Sequence, residues 1–540
     1  MAVQHVPSKR LALPWPQFPQ LKRPHWHIPH LILVIAALVV GGLMLLPPAY
    51  LLVRTVGAGE TAVSVLLKAS TLQTLGRTIW LAAAVTIASA ILAVPIAWLT
   101  ICTDLPGRRF WAVVTALPLV LPSYVAAYLL ISIWGPRGLA QQWLGLEQLP
   151  NIYGFFGAFL ALTLMSYPFT LLTVRAAFKR MDPSLVEAAR SLGHSSWQAF
   201  WRVTVPQLRP SLVAGSLLVA LYVLRDFGAV TMMRYNTFTR MIYIQYQSFA
   251  SRSLAAALSL VLIGLTAVIL YAELRSRGNI QYARKSAGTA RLQKRVQLGH
   301  WRWPALVFLI LLVTIALILP AGGLLYWLIR GALQGQTLTT LWSASWHSLV
   351  VAGGAAVLTL LAALPVAILS VRRPGHLSHL LERLAYVGYA LPGIVIALAF
   401  VFFGANYLPS LYQTLPMLVI AYLVLFVPQA VGTTRTSLLQ VPRCLEEAGR
   451  SLGHTSGQVF RQITLPLLRS GLLAGAALVF LTTMKELPAT LILSPMGFNT
   501  LATAVWSNIS EAFFAQAAAP ALMILLLSSL PLAILTLRDK

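Results

Sequence analysis

A chain of 540 residues that is 58% hydrophobic and only 10% charged is too apolar to be a water-soluble globular protein. Its formal net charge of +27, from 40 Lys and Arg against 13 Asp and Glu, would point to nucleic acid in a soluble chain. Here the basic residues gather in alternate loops between apolar runs, which is a membrane-topology pattern, and the mean hydropathy is +0.77. Continuous rather than alternating apolar runs of about 20 residues argue for membrane-spanning helices and against a β-barrel.

Residues 1–30 form a basic segment carrying Lys9, Arg10, Lys22 and Arg23. Within it, PHWHIPH sets His25, His27 and His30 at ligand-like spacing. The surrounding Trp and Pro are those of an interfacial belt, so metal binding is not the expected role. No small-residue cleavage site follows a short apolar region, so no cleavable signal peptide is expected. Spans are predicted at about 31–53, 77–101, 111–134, 153–174, 211–232 and 254–274. A lipid-facing backbone must satisfy its own polar groups, so each span is read as a helix.

Between the fourth and fifth of these lies a polar stretch, PSLVEAARSLGHSSWQAFWRVTVP, at 183–206. Asp182 is a good N-cap and Pro183 suits the first helical position. Leu185, Ala188, Ala189 and Leu192 fall on one helical face, with Glu187 and Arg190 off it. Gly193 is placed for a left-handed C-cap, and a second short helix is expected from Ser195 or Ser196. Residues 275–303 are a basic linker, read as a solvated cytoplasmic loop near anionic lipid.

A second set of spans is predicted at about 304–328, 346–370, 383–404, 411–433, 471–493 and 515–537. It also contains a polar stretch, RCLEEAGRSLGHTSGQVFRQITLP, at 443–466. Glu187, Gly193 and Pro206 match Glu447, Gly453 and Pro466 at one constant offset, as do Pro168 and Pro428, and Arg175 and Arg435. The expected fold is therefore an all-α polytopic membrane protein of about twelve helices, built as two tandem six-helix halves at 31–274 and 304–540. An even number of spans per half gives both halves the same orientation. Lys and Arg are rich in the terminal segments, both repeated stretches and the linker, and sparse in the alternate loops. This places both termini and both repeated stretches in the cytoplasm. Cys102 and Cys444 fall on that side, where no structural disulfide is expected.

Small residues on one helix face let a partner approach closely, and a nearby glutamate offers a fixed charge. Two copies at matched topology suit docking to two similar cytoplasmic partners. EAARSLG…VTVP and EEAGRSLG…ITLP resemble the EAA loop of binding-protein-dependent ABC importer permeases. The resemblance covers essentially all twelve spans and implies the type I importer permease fold, with EAA loops at 175–209 and 435–470. Glu187, Ala188, Ala189 and Gly193, with Glu447, Ala448, Gly449 and Gly453, are the implied ATPase-coupling residues. The second copy departs at Gly449, where the family has alanine, at a cost in helix propensity.

DFGAV, NTFTRMIYIQY, MKELPATLIL and GFNTLATAVW resemble the fused ferric-iron importers of this family. Fused thiamine and aminophosphonate permeases share the architecture. The implied partners are two copies of a cytoplasmic ABC ATPase and a periplasmic or extracellular iron-binding protein, with one fused chain per transporter in a bacterial inner membrane. The chain has no GxxxxGK[ST] loop, so ATP and Mg²⁺ are expected on separate subunits and no cofactor or metal on this one.

Arg225 and Asp226 match Lys485 and Glu486, late in the fifth and eleventh predicted spans. Charge at such depth is costly and usually faces a bundle interior or a watery cavity. These four residues either line the translocation path or its outer gate, or pair locally and staple the halves. His194 and His454, just after the C-cap glycines, are read as helix-terminal structure or partner contacts. An ion-coupled secondary transporter would use only Asp226 and Glu486 and would have no reason for the docking stretch. A membrane-embedded enzyme would need a catalytic constellation that the spans do not carry.

Overall fold

A computed structural model of the chain describes residues 30–538, apart from 58, 136–137, 146–149, 182, 249–251, 277–295, 337–338 and 390. The histidines of the N-terminal segment, Asp182 and most of the linker therefore lie outside the described residues or at their edge. Among the described residues, nine helices are long and apolar enough to cross a bilayer, or eleven if each of two bent pairs is one span. The C-terminal helix Phe514–Arg538 stands where the twelfth span is predicted.

The halves repeat element by element. The second and eighth spans, Ala69–Cys102 and Thr339–Arg372, are both 34 residues long. The fourth and tenth, Phe155–Arg180 and Leu415–Gln440, are both 26. In each half the second span packs on the fourth and fifth. The first span of each half reaches across: His30–Gly57 lies against the eighth and ninth spans, and Leu319–Leu333 against the third. The halves are thereby interlocked rather than merely adjacent.

Two predicted spans are not continuous. Arg108–Val120 meets Ser123–Gln142 at 92°, and His376–Tyr389 meets Gly393–Tyr407 at 105°. The cause is LPS at 121–123 and LPG at 391–393. Proline has no N–H to give and pushes the residue before it out of the helical region. Leu121 and Pro122 are accordingly extended, with ψ of 129° and 144°. The predicted spans 211–232 and 471–493 also need correction. Their helices end at Arg225 and Met484, and the short helices Gly228–Met232 and Pro488–Leu493 follow.

At the other end these two spans begin earlier than predicted, running without interruption from Ser196 and Ser456. Each passes through one π-turn, Phe200–Thr204 and Phe460–Thr464, just before Pro206 and Pro466. A wider turn accommodates a proline that cannot donate to the fourth carbonyl back. Thr314–Ile318 before Pro320 repeats the device in the seventh span.

The fifth span packs on the fourth through Gly215. A Cβ there would lie 2.4 Å from Thr173 Oγ1 and 2.7 Å from the Thr170 Cα. At Gly475, its counterpart, the obstruction is the Thr433 side chain, at 2.5 Å. Gly215→Ala is expected to destabilise the fold by about 1–3 kcal/mol, because backbone must move. Gly475→Ala should cost less, since a side chain can rotate away. Thermal melting of the two variants in detergent checks the order.

Candidate functional site

Two repeated loops project from one end of the molecule. The helices Pro183–Ser191 and Arg443–Ser451 each end in a glycine with positive φ: Gly193 at 90° and Gly453 at 86°. The next residue closes the turn. His194 N–H donates to the Ala189 carbonyl and His454 N–H to that of Gly449, both at 3.2 Å. These paired bonds are a helix C-cap of Schellman type. Through their backbones the two histidines thus serve helix termination.

A capping box then starts each following helix. Ser195 Oγ accepts from Gln198 N–H at 3.2 Å, and Gln198 Oε1 accepts from Ser195 N–H at 3.1 Å. Thr455 and Gln458 repeat this at 3.4 and 2.8 Å. The turn is therefore fixed at both ends without help from a partner.

Sequence order places Leu185, Ala188, Ala189 and Leu192 on one apolar face, and the structure divides that face. Ala189 is buried, whereas Ala188, Leu185 and Leu192 are exposed. Glu187, Glu447 and Ala448 are exposed too. Leu192 and Leu452 are each 81% exposed, an unusual outlay of apolar surface at matched positions.

Gly449 faces inward. A Cβ there would meet Ile463 Cδ1 at 2.6 Å and Val459 Cγ2 at 3.2 Å. The second loop packs Gly449 against Val459, and at the two equivalent positions the first loop has Ala189 and the smaller Ala199. Volume has been exchanged between two packed positions, and the exposed face is untouched. The glycine is thus a packing solution and not a change in the exposed face.

The four charged residues mark helix ends: Arg225 is the last residue of its helix, and Asp226, Lys485 and Glu486 stand just beyond the ends. They stand where the fifth and eleventh spans break, around a cavity of about 260 Å³ between the halves. Asp226 is extended, with ψ of 130°, and caps the helix after it. Its Oδ1 accepts from Ala229 N–H at 3.0 Å and Val230 N–H at 3.3 Å, and Ser123 Oγ donates to Oδ2. Glu486 is held more loosely, with one bond from Ala489 N–H at 3.4 Å. Gly393, the counterpart of Ser123, makes room for it: a Cβ there would sit 2.3 Å from Glu486 Oε1.

The cations reach across the molecule. Lys485 Nζ donates to the Leu119 carbonyl, at the elbow of the first half's broken span, at 2.9 Å. Arg225 interacts electrostatically with Glu486 and with Tyr389, which stands at the matching elbow of the second half. Tyr124 also lines the cavity, and its hydroxyl has no hydrogen-bond partner among the described residues. Among the described residues no group of three or more His, Cys, Asp or Glu is placed to hold a metal ion.

Two tandem six-helix halves, matched polar loops at one end and a central charged cavity define a membrane permease. The chain belongs to the family described as "Binding-protein-dependent transport system inner membrane component", which it matches over residues 105–277 and 355–540. It is thus a multi-pass permease subunit of an ABC importer. It is 34% identical to the Fe(3+)-transport system permease protein FbpB 2 of Haemophilus influenzae, over 93% of this chain and 97% of that one. It is 25% identical to the probable ABC transporter permease protein y4fN of Sinorhizobium fredii, over 86% of this chain and 87% of the other. A shorter relative, the sulfate transport system permease protein CysT of Escherichia coli, is 31% identical over 32% of this chain and 65% of its own.

Proposed function

We propose that this chain is the entire membrane-spanning part of an importer that brings ferric iron into the bacterial cytoplasm. One copy serves each transporter. Two copies of a separate ABC ATPase, which bind the ATP and Mg²⁺, dock on the exposed Glu187, Ala188, Glu447 and Ala448, while Ala189 and Gly449 pack the coupling helices from beneath and Gly193 and Gly453 end them. An external iron-binding protein delivers the solute. Both termini and both loops face the cytoplasm in the inner membrane, in keeping with the distribution of Lys and Arg. The chain itself catalyses no reaction.

The observation that carries the coupling reading is the pair of loops built to one plan with the same outward face, Leu192 and Leu452 included. ATP can drive transport only by preferring one conformation of the permease, and these loops are the levers for that preference. Arg225, Asp226, Lys485 and Glu486 line the path. The iron assignment leans on the named iron permease that shares this architecture along nearly its full length.

The test is uptake by the chain reconstituted with its ATPase and binding protein. ATP-dependent ferric-iron accumulation, unaffected by excess thiamine, is the expected result. Thiamine uptake without iron uptake would keep the architecture and overturn the substrate.

A further inference from the structure

The two coupling loops match in backbone and differ in how they are held. In the second half, Arg372 ends the eighth span, and its Nη2 donates to Glu446 Oε1 at 2.8 Å and to the Val441 carbonyl at 3.1 Å. The side chains of this ion pair are only 5% and 2% exposed. Thr464, where the loop becomes the eleventh span, donates to the same Glu446 oxygen at 3.1 Å. Arg443 donates back to the Val371 carbonyl at 2.8 Å, and Arg450 Nε to the Glu446 carbonyl at 3.1 Å. One buried carboxylate thus joins the eighth span, the coupling helix and the eleventh span.

The first half keeps Arg190 in the place of Arg450 but lacks the other three charges. Cys102 stands for Arg372, Val186 for Glu446 and Pro183 for Arg443. The end of the second span is gripped instead by the chain entering the second half. Val296 N–H donates to the Cys102 carbonyl at 2.8 Å, and Asp104 N–H to that of Val296 at 3.2 Å. Leu298 N–H donates to Asp104 Oδ1 at 3.0 Å, and Arg302 pairs with the same carboxylate.

We propose that Arg372 and Glu446 are positioning residues that make the second coupling loop a rigid lever on the eighth span, and that this pair sets how much solute moves per ATP. The proposal rests on reading the loops as ATPase docking sites. Stability does not account for the pair. A buried ion pair replaced by apolar residues of similar size is often neutral or stabilising. The other half of this chain places Cys102 and Val186 at these two positions in the same fold and holds the end of its span by other contacts. What the pair adds is direction, because a planar guanidinium bonded to a carboxylate and a carbonyl at once fixes an angle.

The experiment uses the full transporter in liposomes. Failure of the unaltered chain to bind its ATPase would remove the docking reading, and this inference with it. Given a coupled wild type, the decisive variant is Arg372→Cys with Glu446→Val, which installs the first half's residues. It is expected to assemble and to hydrolyse ATP normally. The solute moved per ATP should fall fivefold or more. An assembled double variant with an unchanged ratio overturns the proposal. If the double variant does not assemble, Glu446→Gln decides, since it keeps the shape and removes the charge. A twofold or greater fall in the ratio supports the strut, and no fall overturns it. Val186→Ala in the first loop should leave the ratio within twofold; an equal loss there overturns the asymmetry.

Discussion

Replacing Glu187 and Glu447 together with glutamine is expected to cut ATP-driven uptake about a hundredfold or more, with the chain still inserted and folded. Both side chains are exposed, so no packing is lost. Glutamine and glutamate have nearly the same helix propensity, so the coupling helices persist. The C-cap glycines and capping boxes that shape the loops use none of the altered atoms. What remains is the charge presented to the ATPase. Losing one partner of a desolvated charge pair at an interface costs about 2–5 kcal/mol, and each ~1.4 kcal/mol is a factor of ten. Each single variant should retain more uptake than the double, because the other loop still engages. Co-purification of the ATPase and iron uptake in liposomes measure the two effects separately. Wild-type uptake in the double variant would remove these carboxylates from coupling.

The duplication was legible because its signal is local. EAARSLG and EEAGRSLG are contiguous, and their glycines and proline carry backbone meaning wherever they occur. The apolar spans were legible for the same reason. The breaks were less so, although their cause was in plain sight. Pro122 and Pro392 sit inside runs whose average hydropathy is that of an intact span, and an average cannot register a missing N–H. In sequence, Arg225 and Lys485 fall late in apolar spans. They mark helix ends, because Asp226 gives its oxygens to the amides of the next helix. Helices such as Phe238–Gln247 and Leu501–Ser510, at 10 residues each, are too short to be read as spans. Glu446 was hidden by its neighbour in the motif: its partner Arg372 is 74 residues away, and nothing local pairs them. Gly449 departs from the motif in sequence, and the reason, the bulk of Val459, lies in the following helix.

Neutralising the cavity carboxylates, with Asp226→Asn and Glu486→Gln combined, is expected to abolish uptake while the transporter still assembles. The two carboxylates should not contribute equally. Asp226 is occupied by Ser123 and two backbone amides. Asparagine can keep the amide bonds and is as good a cap as aspartate, so Asp226→Asn alone should cost about 1 kcal/mol or less of stability. Glu486 has one long bond and the space left by Gly393, so it is the freer charge facing the cavity. Glu486→Gln also leaves Arg225 without its opposite charge in a setting where an unpaired ion is expensive. Uptake should therefore fall about tenfold or more in this single variant and less in Asp226→Asn. The reading of these groups as staples between the halves makes the opposite forecast. A staple lost by either variant lowers the melting temperature and the yield of assembled complex, and the surviving complexes transport normally. Melting temperature set against uptake per assembled complex separates the two. Normal uptake in an assembled double variant would take the carboxylates out of the path and leave Arg225 and Lys485 as structural ties between the halves.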